Sequence, residues 1–374
     1  STQSRSSAAS DVYKRQGPYV WERNRSRQVL VPEVEKRGLY LEVGGHTFST
    51  WVPPDQYAKA HPEYFALLLG GTRAVEATEK AGLCLSHPEV APLVAANIVR
   101  WLNENPEVDA VDLWHNDSWT YCRCPNCTPK TAPESEAPRL YTKTYIRFVN
   151  RVAELVAQRH PKVLLNLLAY AHTTNCPADG EPLRDNVLVG LCLFPRPSQR
   201  TMRPLETSPQ TLDTNLRLQI PLWQKRARHF YVYEYYTFSD QQKIWSMVSM
   251  ICEDIRYFQR SGVRGISSDQ WGPGWYPLNM YAFAKLAWDP HLAPQKIIED
   301  FCAKYYGRAG RTMAAYWGLL EQGLRESWNT QTPIDWHDQQ RRALISQALA
   351  ESDDKTTADR VRATAALHRL AISP

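Results

Sequence analysis

The sequence predicts an α/β fold of the TIM type, a (β/α) barrel that is either complete or short of strands, followed by a C-terminal helical extension. Two observations lead to this class. Apolar, strand-like runs alternate with helix-like segments between residues 39 and 307, and such alternation is typical of a parallel sheet covered by helices. The alternating segment also has about the length, roughly 250 residues, that one eight-stranded barrel requires.

Seven runs have the composition of strands. They are residues 39–43, 82–87, 110–117, 162–172, 186–194, 229–238 and 263–269. Two of them, 162–172 and 186–194, are almost continuously apolar, which is typical of strands that are buried on both faces in a parallel sheet. No eighth run stands out, so the pattern is compatible with an incomplete barrel and also with an open doubly wound sheet.

The segments between these runs have helical periodicity. Residues 88–106 place apolar side chains at helical spacing from Val90 to Leu102, with prolines at both ends where a helix tolerates them. The same spacing predicts helices over residues 145–159, 241–262, 279–288 and 294–307.

The two ends of the chain need separate treatment. The phrase SSAASDVYKRQ, Ser6 to Gln16, has no periodic pattern, and one choice of codons makes it a translated sequencing adapter. We interpret residues 1–16 as an artefactual, structureless leader on a bacterial metagenomic fragment, and we expect the native N-terminus to be missing. Residues 17–306 then form the barrel. Residues 307–374 are amphipathic and polar, and we expect them to form the helical extension.

Composition argues against several classes of function. The chain of 374 residues has a formal net charge of +5 and no dense stripe of Lys and Arg, so nucleic acid is not an expected partner. No apolar run approaches the roughly 20 residues that cross a bilayer. Nucleotide-binding glycine motifs are absent after every strand. The 13 Trp and 19 Tyr either fill a large core or line a cleft in which flat rings cover sugar faces.

Polar and aromatic residues follow several of the predicted strands. The functional residues of a parallel barrel lie just beyond the carboxyl ends of its strands. The residues at those positions that we expect to line a pocket are His46, Asn116, Asp117, Tyr170, His172, Glu234, Tyr235, Tyr236, Asp269, Trp271 and Trp275.

Three of these strand-end residues are carboxylates, and glycoside hydrolysis uses two carboxyl groups, one protonated and one ionised. Glu234 has the most apolar neighbours, in YVYEYY, so we predict that it is the acid. Asp269 lies in a polar, glycine-rich stretch and suits the ionised role. Asp117 could be that partner instead, or could bind sugar hydroxyls. Each of the three could also be a structural carboxylate that caps a helix or pairs with an arginine.

Cys122, Cys124 and Cys127 form a CxCxxC motif whose spacing suits metal thiolates. Structural zinc requires four ligands, and Cys84, His115 or Cys176 could be the fourth. A local disulfide and free thiols are the alternatives. A redox site is less expected because no thioredoxin-like context surrounds the motif.

Several phrases also resemble a known family when they are taken in order. They are GGHTF, AHPEYFALLLGGTRA, LCLSHPEV, HNDSWTYCRCPNC, YIRFVNRVAE, LLAY, and WDP followed by EDFCAKYYG. Over residues 37–320 they resemble the bacterial family called domain of unknown function 4838. The resemblance implies a glycoside-hydrolase-type TIM barrel, distantly similar to alpha-glucuronidases and beta-hexosaminidases, and a role in polysaccharide breakdown. It implies no catalytic residues.

We therefore expect a glycoside hydrolase-like enzyme that acts on a polysaccharide or glycan by two-carboxylate acid/base hydrolysis. A non-catalytic carbohydrate-binding barrel and a zinc-dependent hydrolase are the alternatives. The expected partner is a carbohydrate substrate, and catalysis is expected to need no cofactor, with structural zinc as the only metal. Because the native N-terminus is expected to be missing, the lack of a signal peptide does not indicate the cytoplasm, and a periplasmic or secreted location is favoured.

Overall fold

The structure is a computed structural model of the chain. It describes residues 26–75, 82–117, 121–128, 135, 137–194, 203–209, 211–236, 246–268, 277–330 and 337–368.

Six parallel strands form one sheet, in the order β1-β2-β3-β4-β5-β6. The strands are Glu42–Val43 (β1), Ala110–Asp112 (β2), Leu164–Ala169 (β3), Val187–Cys192 (β4), His229–Glu234 (β5) and Ile266–Ser268 (β6). Each strand pairs with the next along the chain, so the order never reverses. A doubly wound sheet reverses its order part-way, and this alternative is therefore wrong.

The sheet curls strongly, which makes one of its faces concave. The Tyr231 hydroxyl of β5 lies 3.4 Å from Glu42 Oε1 of β1. In a flat sheet these strands would be about 19 Å apart, because four spacings of roughly 4.8 Å separate them. The rings of Trp114, just after β2, and Tyr233 of β5 also meet, with centroids 5.6 Å apart. The sheet is thus a curled half-barrel.

A complete barrel is not confirmed within the described residues, where β1 and β6 are the edges of the sheet. The prediction of a strand over 82–87 is wrong. Leu83 forms only an isolated antiparallel bridge with Phe65. Leu83, Cys84 and Leu85 are all buried, although a strand with one solvated face would alternate. Cys84 is held in a cluster of thiols, described below, and this fixes the segment as a turn.

Ten helices of ten residues or more accompany the sheet in the described part of the chain. They are Ser26–Lys36 (α1), Val90–Glu104 (α2), Ala137–Ala157 (α3), Thr211–Arg226 (α4), Val248–Arg260 (α5), Pro277–Trp288 (α6), Pro294–Tyr306 (α7), Gly310–Thr330 (α8), Asp338–Glu351 (α9) and Lys355–Leu367 (α10). No helix in these ranges has both the length and the apolar character that a membrane crossing needs.

The convex face of the sheet packs on helices to form the main core. Val111 of β2, Leu165 of β3 and Val232 of β5 lie in one buried cluster with Ile98 of α2 and Val149 of α3. The strands are buried on both faces, as their apolar runs predict.

A second buried cluster joins α5, α6 and α7 to the C-terminal helices. It includes Ile251, Phe283, Phe301 and Trp317. Glu321 of α8 also accepts hydrogen bonds from the backbone N–H groups of Val248 (2.9 Å) and Ser249 (3.0 Å), the first residues of α5. A carboxylate at a helix N-terminus satisfies orphan donors there, so α8 caps a helix of the barrel layer.

Candidate functional site

The concave face has a polar floor, which is built from residues of β1, β2, β3 and β5. Asn166 Nδ2 lies 2.6 Å from Glu42 Oε1 and 2.8 Å from Asp112 Oδ1. The Tyr231 hydroxyl lies 2.8 Å from the same nitrogen. A Cβ atom at Gly190 would come within 2.6 Å of the Tyr231 ring. The glycine therefore makes room for the tyrosine, and the floor is closely packed.

The carboxyl groups of the floor favour their neutral forms. Burial raises the pKa of Glu42 to about 7, and hydrogen bonds from Asn166 and Tyr231 offset part of that rise. Burial also raises the pKa of Asp112 well above its usual range. Desolvation penalises the charged form of a carboxyl group. The floor is therefore a hydrogen-bonded layer in which burial disfavours the ionised form of both carboxyl groups.

Aromatic rings and a thiol cover this floor. Trp114, Leu168, Cys192, Tyr231 and Tyr233 form one buried cluster on the concave face. The layer continues towards the carboxyl edge of the sheet, where the Tyr235 ring lies 5.3 Å from Tyr233 and 4.8 Å from Phe194. Tyr235 and Phe194 are only partly buried, so their rings can offer flat apolar surfaces to a ligand.

Asp117 lies at the carboxyl edge, directly above this aromatic layer. Its side chain is 47% exposed, and His46 Nε2 lies 3.9 Å from its Oδ1 atom. The Tyr170 hydroxyl donates a hydrogen bond of 3.3 Å to the same oxygen. We call Asp117, His46, Tyr170, Glu234 and Tyr235 the rim. The structure thus brings two predicted site residues, His46 and Tyr170, to a third, Asp117. The three residues follow β1, β3 and β2.

His46 and Tyr170 are held in fixed orientations. His46 Nδ1 lies 2.5 Å from the His115 carbonyl oxygen, so Nδ1 carries the hydrogen and Nε2 faces Asp117. His46 also forms a parallel bridge with Trp114, which extends the β1–β2 pairing to the edge. Burial and the nearby Asp117 charge raise the pKa of the Tyr170 hydroxyl. Tyr170 therefore keeps its proton and remains a donor to Asp117.

Glu234 ends β5 and is completely buried. Its Oε2 accepts the backbone N–H of Tyr235 at 3.2 Å. Burial raises the pKa of the Cys192 thiol to about 12, and the charges of Glu234 and Asp117 add to the rise. Both carboxylates are therefore close enough to Cys192 to affect its ionisation.

Three other predicted site residues are buried behind the rim. His172 packs between His115, Tyr121 and Tyr141, with ring centroids 4.6 to 5.2 Å away, and burial lowers its pKa well below the usual range. Tyr236 lies in the helical core, 5.8 Å from the ring of Phe283.

Asn116 is 2% exposed, and its Oδ1 atom would lie 3.3 Å from a Cβ at Gly82. The three side chains offer little surface to a ligand. Asp269, Trp271 and Trp275 lie outside the described residues, so their predicted roles stay predictions.

Sequence reasoning missed the polar floor and the support of the rim. Glu42, Asp112 and Asn166 are each the single polar residue inside an apolar strand, and that pattern was the available sign of them. His115 supports the rim from behind. Its Nε2 lies 2.9 Å from Thr173 Oγ1, and burial lowers its pKa to about 4, so it is a neutral structural histidine.

Four cysteines meet beside the rim. The sulfur atoms of Cys84, Cys122, Cys124 and Cys127 all lie within 4.8 Å of one another. Cys84 Sγ is 3.6 Å from Cys124 Sγ and 3.9 Å from Cys127 Sγ. All eight cysteines of the chain are described and free, so none of these pairs is a disulfide.

The structure thereby selects Cys84 among the three candidates for a fourth ligand. The ring nitrogens of His115 contact Asn116 O, Tyr170 O and Thr173 instead. Cys176 Sγ contacts the carbonyl oxygen of Pro177 at 3.8 Å.

Comparison with known protein families identifies the family of this chain. The profile of the family described as "Domain of unknown function (DUF4838)" matches residues 3–318. The chain belongs to the DUF4838 family. The family resemblance stated above is thus confirmed. No curated protein sequence matches this DUF4838 chain significantly.

Solved structures similar to the DUF4838 chain are glycoside hydrolases. A family 89 enzyme from Clostridium perfringens, in complex with its substrate GlcNAc-alpha-1,4-galactose, has 10% identity and a TM-score of 0.45 over 85% of this chain and 35% of that one. The Rhizomucor miehei chitinase RmChi1 has 13% identity and a TM-score of 0.38 over 72% and 87%. The GH20 catalytic modules of the pneumococcal exo-beta-D-N-acetylglucosaminidase StrH have 10% identity and a TM-score of 0.38 over 92% and 76%. The chain therefore spans about a third of the length of the family 89 enzyme, whose covered share is 35%.

Proposed function

We propose that the rim binds a carbohydrate and that its carboxylates hydrolyse a glycosidic bond. The observation that carries this proposal is the setting of Asp117. It is a half-exposed carboxylate, held by the Tyr170 hydroxyl and faced by His46, above a layer of aromatic rings. An accessible carboxylate over flat apolar surfaces suits a sugar, whose ring has an apolar face and a hydroxyl-bearing edge.

The two carboxylates have surroundings that suit different roles. Burial favours the protonated form of a carboxyl group, and Glu234 is completely buried. We assign it the general acid that protonates the leaving oxygen. Asp117 is half exposed and accepts a hydrogen bond from Tyr170, and we assign it the role of the second carboxylate. This partner would attack the anomeric carbon or activate a water, according to the separation of the two groups. Asp269 remains the alternative for the ionised role.

The zinc-dependent hydrolase is the less favoured alternative. A catalytic zinc keeps one coordination position open for water or substrate. Four sulfur atoms within 4.8 Å of one another would fill all positions of a tetrahedral ion. The cysteine cluster therefore suits a structural role, and we place the chemistry at the rim. We also propose an extracytoplasmic location, because polysaccharide substrates occur there.

The test is a screen of released sugars over a panel of polysaccharides. Wild type is compared with Glu234→Gln and Asp117→Asn, and with Glu299→Gln on the surface of α7 as a matched control. Loss of a positioned acid or base typically costs about 10²- to 10⁴-fold in rate. We expect losses of that size in the two rim variants and none in the control.

Two results would count against the proposal. Unchanged activity of Glu234→Gln would reject its role as the acid. A wild type that binds polysaccharide but releases nothing would favour the carbohydrate-binding alternative.

A further inference from the structure

We infer that Cys84, Cys122, Cys124 and Cys127 hold one zinc ion, which joins the turn that carries the CxCxxC motif to the segment that carries Cys84. The inference goes beyond carbohydrate hydrolysis and does not depend on it. It rests on the geometry of the sulfur atoms, on the donors around them and on the backbone that presents them.

The sulfur positions fit a single tetrahedral ion. Zinc–sulfur bonds of about 2.3 Å in a tetrahedron place the sulfur atoms about 3.8 Å apart. Cys84 Sγ lies 3.6 Å from Cys124 Sγ and 3.9 Å from Cys127 Sγ. None of the six pairs exceeds 4.8 Å. Cys84 comes from a different segment of the chain, 40 positions before Cys124, so the fold itself assembles the set.

Hydrogen-bond donors surround the sulfur atoms as they do in thiolate sites. The backbone N–H of Leu67 donates to Cys122 Sγ and that of Cys127 donates to Cys124 Sγ, both at 3.4 Å. Ser86 Oγ lies 3.1 Å from Cys127 Sγ and 3.5 Å from Cys124 Sγ. Backbone N–H donors of this kind orient metal ligands and stabilise their negative charge, and the Ser86 hydroxyl is placed to donate as well once Cys127 is a thiolate.

The backbone holds the last two thiols in a tight turn. The N–H groups of Cys127 and Thr128 both donate to the Cys124 carbonyl oxygen, at 3.1 and 2.9 Å. The Thr128 hydroxyl donates to Cys122 O, and the Thr144 hydroxyl of α3 donates to Cys127 O, both at 3.1 Å. The turn is thus anchored to a helix, and the ligands are presented without a change of fold.

The ion would fix the segment from Tyr121 to Thr128, which the structure describes on the chain beyond Asp117. The Arg123 N–H donates to Leu67 O at 2.7 Å, which joins the loop to the neighbouring segment. The Tyr121 ring packs 5.0 Å from His172 behind the rim. One zinc ion bound to Cys84 and to the CxCxxC motif would hold the cysteine turn in place next to these non-covalent contacts.

Metal content is the direct test. The full chain, expressed with zinc and without a histidine tag, is analysed by elemental mass spectrometry. We expect one zinc per chain in wild type, one in Cys302→Ala and a clear loss in Cys84→Ala. Cys302 is a buried cysteine of α7, outside the cluster, so this control removes a thiol without touching the site.

Cobalt substitution makes the test independent of variant folding. Wild-type chain refolded with Co²⁺ in place of zinc should show the thiolate-to-cobalt charge-transfer band and the intense visible bands of a tetrahedral site. Its midpoint of thermal unfolding should fall by several degrees when a chelator removes the metal. Wild type without bound metal, with iron instead of zinc, or with a disulfide among the four cysteines would overturn the inference. Sugar release is measured separately, so a failure of the proposed enzymatic function leaves this result readable.

Discussion

The floor and the rim of the concave face both carry carboxyl groups, but in opposite surroundings. At the floor, Glu42 and Asp112 share the Asn166 amide as a donor, and burial raises the pKa of both. At the rim, Asp117 is half exposed and accepts a hydrogen bond from Tyr170. The difference teaches that two close carboxyl groups do not by themselves mark a catalytic pair. Exposure to solvent distinguishes Asp117 from the carboxyl groups of the floor.

The largest expected effect is a difference in enzymatic rate between a variant of the rim and a variant of the floor. Asp117→Asn removes the ionised partner and should lower the rate of sugar release by about 10²- to 10⁴-fold. Glu42→Gln keeps an acceptor for Asn166 and should leave the rate close to that of wild type. Initial rates on the best substrate of the panel measure both. The reverse ranking would move the chemistry from the rim to the floor.

The next effect concerns the packing of the floor. Gly190→Ala would put a Cβ atom 2.6 Å from the Tyr231 ring. Overpacking of this kind typically costs about 1–3 kcal/mol in the free energy of unfolding. Gly318→Ala in α8 meets nothing within 4 Å and is the matched control. It should be neutral or stabilising by roughly 0.5–1 kcal/mol, since alanine favours a helix. Denaturant unfolding checks both, and equal effects would contradict a closely packed floor.

A smaller effect is expected from the donor that holds Asp117. Tyr170→Phe removes one hydrogen bond to the carboxylate. A bond of this kind contributes about 1 kcal/mol, or roughly fivefold in kcat/KM. Tyr57→Phe, in the short helix Pro54–Tyr57 and not a rim residue, is the control. An unchanged kcat/KM for Tyr170→Phe would show that the hydroxyl does not orient Asp117 during catalysis.

A further effect is a pH dependence of stability that arises at the floor. The Glu42 pKa rises from 4.5 to about 7 on folding, so the folded state binds more protons between these values. The contribution of Glu42 to the free energy of unfolding should therefore be largest below pH 4.5 and should fall as the pH rises towards 7. Glu42→Gln should flatten that slope. Unfolding midpoints over this pH window test it, and an unaltered slope would assign the dependence to other groups.

The sequence predicted the strands best where apolar runs are long. Leu164–Ala169 and Val187–Cys192 lie inside the predicted runs 162–172 and 186–194, because burial on both faces leaves an unbroken apolar signature. The run 82–87 failed because a short apolar stretch can be buried as a turn, and its local composition does not reveal that Cys84 is held by thiols far along the chain.

The site was predictable only in part. Strand-end position placed Asp117, Tyr170 and His46 together, because parallel strands end at one edge. It could not separate side chains that face the rim from those that face the helices. Tyr235 and Tyr236 are neighbours in sequence just beyond β5, yet Tyr235 packs against Tyr233 and Tyr236 packs against Phe283 in the helical core. The floor was missed because the contact between Tyr231 and Glu42 depends on the curl of the sheet.

The central claim is that a sugar binds and is cleaved at the rim. The most direct measurement is the electron density of a crystal of Glu234→Gln soaked with an oligosaccharide of the preferred polysaccharide. We predict a sugar ring over Tyr235 and Tyr170, with its scissile bond beside Asp117. Density for the sugar on another surface, with the rim empty, would contradict the account.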